Sequence, residues 1–236
     1  MTKSKPADIF LLAGGMQSKN NKEILAGALA LTKKGTPNVA YIGTASGDNK
    51  DFFLRLSQLI MAAGAGNVSL VPIVRRFDPD KARDILLSCD VVFISGGDVD
   101  LGMKYLRNRK LVSLFREIYD QGKIFCGISA GAIMLSRNWI HWRDPDDDDT
   151  VELFDCLGFA PLLCDVHGEE DNWAELKRLL GFFPHGTAGY GIPANGALRV
   201  APDGKITSLG SAPIRFIKKG ADIIIDIKPQ IITSPP

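Results

Sequence analysis

The chain has 236 residues, 45% of them hydrophobic and 23% charged, which suits one compact α/β-sized domain with a sizeable core. Twenty-eight Lys and Arg stand against 27 Asp and Glu, a net charge of +1, so neither nucleic acid nor an anionic membrane surface is indicated and a small molecule is the expected partner. The first apolar stretch, Ile9 to Ala13, is too short for a signal-peptide core, and no run reaches the roughly 18 apolar residues of a membrane helix, so a cytoplasmic protein is expected.

Apolar, β-branched runs alternate with amphipathic segments through the first 140 or so residues, the pattern of βαβ units around a parallel sheet. The predicted strands are Ile9 to Leu12, Val39 to Ile42, Val68 to Val74, Val91 to Ile94 and Ile124 to Ile128. Between them, Lys22 to Lys34, Asp51 to Ala63, Asp78 to Ser88 and Leu111 to Gln121 carry apolar residues at three- and four-residue spacing, as helices on a sheet face require. Pro79 after Asp78 reads as a helix start. Beyond Ser136 the pattern loosens. Asp144 to Asp149 is read as a loop, acidic enough to serve as a lid, and Asn172 to Leu180 as one more helix. Short strands at Ala197 to Val200, Ile206 to Leu209, Ile214 to Lys218 and Asp222 to Asp226 follow, separated by turn residues, and should form an antiparallel edge. Thr233 to Pro236 reads as a frayed terminus.

The fold class expected is therefore α/β, three layers with a mostly parallel central sheet flanked by helices and a small antiparallel C-terminal portion. The four cysteines, at 89, 126, 156 and 164, form no CxxC pair and lie in or beside apolar stretches, so buried free thiols are expected rather than a disulfide or zinc framework.

Lys123 to Leu135 reads as buried strand, sharp turn and helix, with Gly127-Ile128-Ser129-Ala130-Gly131 at the turn. This is the pattern of a nucleophile elbow, in which glycines let strand and helix approach while the central residue takes a strained backbone conformation. Ser129 would then stand above the carboxyl ends of the strands, where open parallel sheets bind ligands. The helix starting at once behind it offers its dipole and the Ala130 amide to an oxyanion. A plain anion-binding turn uses the same features. Val91 to Ile94 also ends in glycines, at Ser95-Gly96-Gly97-Asp98, and the Gly97 amide is the second expected oxyanion donor. Asp98 either faces substrate or caps the helix that begins near Leu101.

A serine hydroxyl needs a base, usually a histidine oriented by a carboxylate. Of three histidines, His141 between Ile140 and Trp142 reads as a packed or surface ring, and His185 between Pro184 and Gly186 as a turn residue. His167 follows an apolar segment and precedes a polar Gly-containing loop, the place of a catalytic base at a strand's carboxyl end. The orienting acid stays open among Asp144, Asp146 to Asp149, Asp165, Glu169 and Glu170, since spacing alone does not choose. The aspartate run lacks the glycine and spacing of a calcium loop.

Taken together, Ser95 to Asp98 with Leu101 to Leu106, Gly127 to Leu135, Leu157-Gly158 leading to His167, and Gly191 to Leu198 resemble the dipeptidase E and cyanophycinase-like serine peptidases. That family has the class I glutamine amidotransferase-like fold, and the resemblance covers most of the chain. It implies hydrolysis of short peptides without metal or cofactor. By analogy Ser129 is the nucleophile, His167 the base and Asp144 the acid, with Gly97 and Ala130 amides at the oxyanion. The aspartyl dipeptidases are similar in carrying Gly-Glu-Thr-Arg after the histidine, whereas this chain has Gly168-Glu169-Glu170-Asp171-Asn172-Trp173. The guanidinium that would pair with an aspartyl carboxylate is missing from that position, so unless Lys177 or Arg178 reaches in, a basic or neutral peptide is the expected preference, with Glu169, Glu170 and Asp98 the expected substrate-facing residues. Three other readings use the same residues: a cysteine-based amidase, opposed by serine at 129; a lipase-like hydrolase, opposed by the short interval from Ser129 to His167; and a non-catalytic protein that binds a small anion or peptide. Exposed edge strands near the C-terminus leave room for a homodimer.

Overall fold

The computed structural model describes residues 6–14, 19–144 and 146–226. Its elements, in chain order, are β1 (Ile9–Leu12), α1 (Lys19–Ala30), β2 (Asn38–Ile42), α2 (Lys50–Ala62), β3 (Asn67–Leu70), α3 (Pro79–Ser88), β4 (Val91–Ile94), α4 (Val99–Asn108), α5 (Val112–Asp120), β5 (Ile124–Ile128), α6 (Ala130–Leu135), β6 (Asn138–Trp142), β7 (Val151–Asp155), β8 (Leu163–Val166), α7 (Ala174–Gly181), β9 (Ala188–Ile192), β10 (Gly196–Val200), β11 (Ile206–Gly210), β12 (Ile214–Lys219) and β13 (Asp222–Ile225).

The main sheet has seven strands in the order β11-β10-β1-β5-β4-β2-β3. The five from β1 to β3 are mutually parallel, and β10 and β11 extend the β1 edge antiparallel. Both faces are buried, and residues alternate between them as the strand period of two requires. Ile9, Leu11, Val92, Ile94 and Phe125 pack with Leu86, Leu106 and Phe115 from α3, α4 and α5. Phe10, Leu12, Val91, Phe93 and Ile124 pack with Ile24, Leu25, Leu56 and Ile60 from α1 and α2. This is the three-layer arrangement expected from the sequence.

Local capping follows the side chains. Asp78 accepts from the Lys81 amide at 3.0 Å, with Pro79 in the first turn of α3. Asn49 does the same for α2 through Phe52. Each cap satisfies an amide that the helix itself leaves without an acceptor.

A second sheet, β13-β12-β9-β8, and a two-stranded hairpin, β6-β7, complete the fold. The second sheet is not the simple antiparallel edge expected from the C-terminal strand signals: β8 and β9 are parallel, and only the β9-β12-β13 part is antiparallel. Leu176, Leu179 and Leu180 of α7 are fully buried, with Leu176 and Leu180 closing on Gly189 of β9. On the other side, β8 lies along α6: Arg137 N donates to Leu162 O at 3.0 Å, Ala160 N to Leu135 O at 2.9 Å, and Cys164 Sγ lies 3.9 Å from Ala132 O. The strand therefore runs opposite to the helix, and its carboxyl end arrives at the helix's amino end.

Two differences from the sequence reading have local causes. Val68 to Val74 shortens to β3, because Ile73 and Val74 donate their amides to the buried Asp48 carboxylate rather than to a neighbouring strand. The acidic loop is the tip of a hairpin whose strands have mixed exposure, so no clear period marks them. Thr233 to Pro236, and Pro145 in that acidic tip, lie outside the described residues.

Gly127 and Gly131 set how closely α6 can seat. A Cβ on Gly127 would run into the Gly131 carbonyl, and one on Gly131 into the Ile94 carbonyl. Gly131→Ala is therefore expected to lower unfolding stability by about 2–3 kcal/mol, as overpacking does, read as a reduced urea midpoint with an unchanged slope; a midpoint equal to that of the unsubstituted protein would show that α6 has room to shift.

Candidate active site

The carboxyl ends of β2, β4 and β5, and the loop after β8, each contribute one piece of the site. At the end of β5, Ser129 has φ 53° and ψ −124°, a region L-residues rarely occupy. Its amide donates to Leu12 O at 2.9 Å, and its carbonyl accepts from Ala132 N at 2.8 Å. The backbone is thus held on the β1 side and the helix side at once. Ala130 opens α6, so its amide has no acceptor within the helix.

At the end of β4, Gly96 lies against this serine: a Cβ there would stand 2.9 Å from Ser129 Cβ. Gly97 follows at φ 138°, and any side chain on it would collide with the Ala45 carbonyl. That carbonyl belongs to the loop after β2, Gly43 to Asp48, and accepts from Asp98 N at 2.9 Å. Gly97's own amide makes no hydrogen bond among the described residues. The Gly43 to Asp48 loop escaped the sequence reading, although small residues at the end of a predicted strand were the available signal. Asp48 braces it, its buried carboxylate accepting from Val74 N at 2.8 Å and Ile73 N at 3.2 Å; burial raises its pKa above the ordinary value, the two amides pulling the other way.

His167 follows β8 at the amino end of α6, is exposed, and has φ 64°. Its loop is closed behind it: Trp173 N donates to Gly168 O at 2.7 Å, and the buried Trp173 ring presses on both Gly168 and Gly191. Trp173 is a second residue the sequence reading passed over. No hydrogen bond joins His167 to Ser129 among the described residues, and catalytic bonds are often long in unliganded sites.

The carboxylates separate clearly. Asp144 is exposed at the hairpin tip, where its carboxylate accepts from Asp146 N at 3.1 Å. Asp98 caps α4, accepting from Leu101 N at 2.8 Å. Glu169 Oε1 accepts from Ala194 N at 2.6 Å, just past the end of β9. Glu170 is exposed and bonds to nothing among the described residues. Asp171 caps the start of α7 through the amides of Trp173 and Ala174. Asp165, on β8, is buried, accepts from Val166 N at 2.6 Å, and is pushed up to about 7, first by burial and then by the charges of Glu175 and Asp171.

The hairpin stands over one side of this face. His141 lies 3.6 Å from Asp100 in the first turn of α4 and 3.6 Å from Glu152 across the hairpin, and Glu152 also pairs with Arg143 at 2.7 Å. At the other end of the hairpin, Arg107 from the last turn of α4 bonds the Asp155 carbonyl. The acidic tip thus projects on the side where α4 begins, which is the side of Ser129. His185 accepts from Gly220 N at 3.1 Å, as a turn residue would.

Comparison with known sequences and structures follows the same lines. The sequence pattern of Peptidase family S51 matches residues 9–208. This chain belongs to peptidase family S51. No curated protein matches it. Two solved peptidase structures share its fold. A peptidase from an acI-B1 Actinobacterium superposes with a TM-score of 0.70 at 19% identity, covering 93% of each chain. A peptidase E candidate from Listeria monocytogenes EGD-e superposes with a TM-score of 0.62 at 15% identity, covering 88% of this chain and all of the other. The S51 assignment makes this a hydrolase of the serine peptidase class. The alternative amidase nucleophile is also out of reach: Cys126 is buried within β5, and burial pushes its thiol up to about 12.

Proposed function

We propose that this S51 protein hydrolyses short peptides by acyl transfer to Ser129, with His167 as general base and the amides of Gly97 and Ala130 holding the oxyanion. The observation that carries the reading is the backbone of Ser129, held at φ 53° between a strand end and a helix start and pressed against Gly96. Strain of this kind persists only where the surroundings impose it, and a strained serine whose hydroxyl lies beside Gly96, with Gly97 and Ala130 next in line, supports the nucleophile and oxyanion roles.

In the reaction, His167 takes the hydroxyl proton as Oγ attacks the scissile carbonyl. The carbonyl oxygen becomes an oxyanion between the two amides, and the imidazolium then returns its proton to the leaving amine. Water repeats the sequence on the acyl-serine, releasing the acid and restoring the serine. Residues 168–173, directly after His167, carry three carboxylates and no arginine, and Arg178 is engaged by the Asp148 carbonyl of the hairpin tip, which favours a basic or neutral peptide over an N-terminal aspartyl one.

A fluorophosphonate probe tests the nucleophile without a known substrate. One adduct, mapped to Ser129 by mass spectrometry, is expected, with no adduct in Ser129→Ala and labelling slowed on the order of 10³-fold or more in His167→Ala. Labelling elsewhere, or equal labelling of the His167 variant, would refute the assignment. Folded protein that takes up no label would leave the peptide-binding reading in its place.

A further inference from the structure

We propose that Glu169 is the carboxylate that positions His167, acting from the histidine's own loop while the end of β9 holds it in place. The inference rests on His167 being the base and deepens that reading by choosing its partner.

A positioning carboxylate must be fixed itself, must keep an oxygen free, and must lie at the strand-end face. Glu169 meets all three. Its Oε1 accepts from Ala194 N at 2.6 Å, and its Oε2 has no partner among the described residues. Parallel pairing of β8 with β9 matches Val166 to Ile192, so the next position places His167 level with Pro193, one residue from the amide that anchors Glu169. Gly168, between the two, is fixed by the Trp173 ring and by its carbonyl's bond to Trp173 N. His167 and Glu169 thus flank a single immobilised residue, and the φ of 64° at His167 turns the chain sharply there.

The other candidates are engaged elsewhere or, like Glu170 and the exposed Asp146, Asp148 and Asp149, have carboxylates with no partner among the described residues to fix them. The Asp144 carboxylate is bonded within its own hairpin tip. Asp171 holds the first amides of α7. Asp165 is buried and bonded to the amide next to it in β8. Glu170 has nothing to fix it. The Glu169 to Ala194 bond also joins the β8 and β9 loops, so the same carboxylate that orients the base ties down the wall beside it.

Glu169→Gln separates the two jobs, because the amide oxygen can still accept from Ala194 N while the charge is lost. Fluorophosphonate labelling of Ser129 is expected to slow on the order of 10²–10⁴-fold, with the thermal midpoint nearly unchanged. The imidazole resonances of His167, assigned by their absence in His167→Ala, should change in Glu169→Gln and keep their position in Asp144→Asn. Unchanged His167 resonances in Glu169→Gln overturn the proposal, whatever the labelling rates. A change confined to Asp144→Asn overturns it too and returns the role to Asp144. The resonance comparison does not depend on catalysis, so a failure of Ser129 to label would sink the peptidase reading alone.

Discussion

Replacing Ser129 with glycine is expected to make the protein more stable and catalytically inert, whereas replacing it with alanine should make it inert without any gain in stability. The reason is the backbone. At φ 53° and ψ −124°, a residue with a Cβ carries strain of about 1–3 kcal/mol. Glycine removes that strain but brings more chain entropy to the unfolded state, which offsets about 0.5–1 kcal/mol. A net gain of about 1 kcal/mol follows, or roughly 2–4 °C in melting temperature for a chain of this size. Alanine keeps the Cβ and so keeps the strain. Loss of the hydroxyl should reduce turnover on the order of 10⁴-fold or more in both variants. Calorimetry of the three proteins side by side checks the pairing: equal midpoints for the glycine and alanine variants would mean that the elbow backbone is relaxed and that its geometry is not a mark of function.

Much of this arrangement was legible in the sequence because buried parallel strands are written as short β-branched runs. Ile9 to Leu12, Val91 to Ile94 and Ile124 to Ile128 are strands over those same residues. The elbow was legible because its steric demands leave only glycine acceptable at 127 and 131, and the structure shows a carbonyl in contact range of each. What escaped were features created by long-range packing. The Asp48 brace joins residues some 25 positions apart, and nothing local to Gly43 to Asp48 announces it. The second sheet draws β8 and β9 together with β12 and β13; the last two were legible as strands, but the parallel pairing of residues 163–166 with 189–192 is set across α7 and has no local signature. The orienting acid is not legible in the sequence for a related reason. Along the chain, eight carboxylates stand near His167 as equals, and only the folded contacts of Glu169, Asp144, Asp147 and Asp165 distinguish them.

Those contacts also imply that this protein loses stability as the pH rises from about 4 to about 7, with Asp165 as the main cause. Burial, followed by the charges of Glu175 and Asp171, raises its pKa from 3.8 to about 7 in the folded chain. Glu175 is raised as well, by burial and by Asp171. A group whose folded pKa lies above its unfolded value binds more protons in the folded state. Its contribution is therefore complete below about pH 4 and is lost as the pH rises through about 7. At about 1.4 kcal/mol per tenfold change in proton affinity, the displacement corresponds to at most roughly 4 kcal/mol. Asp165→Asn preserves the acceptor for Val166 N, which the carboxylate meets at 2.6 Å, and removes the ionisation. The variant should exceed the unsubstituted protein by about 2–4 kcal/mol at pH 8, by about 1–2 kcal/mol at pH 5, and differ little from it at pH 4. Urea unfolding across that range decides the matter. Parallel pH curves for the two proteins would mean that Asp165 ionises in place without penalty, through water reaching the β8 and α7 seam. Converging curves at low pH would establish a neutral carboxyl beneath the loop that carries His167, so that raising the pH weakens the seat of the base itself.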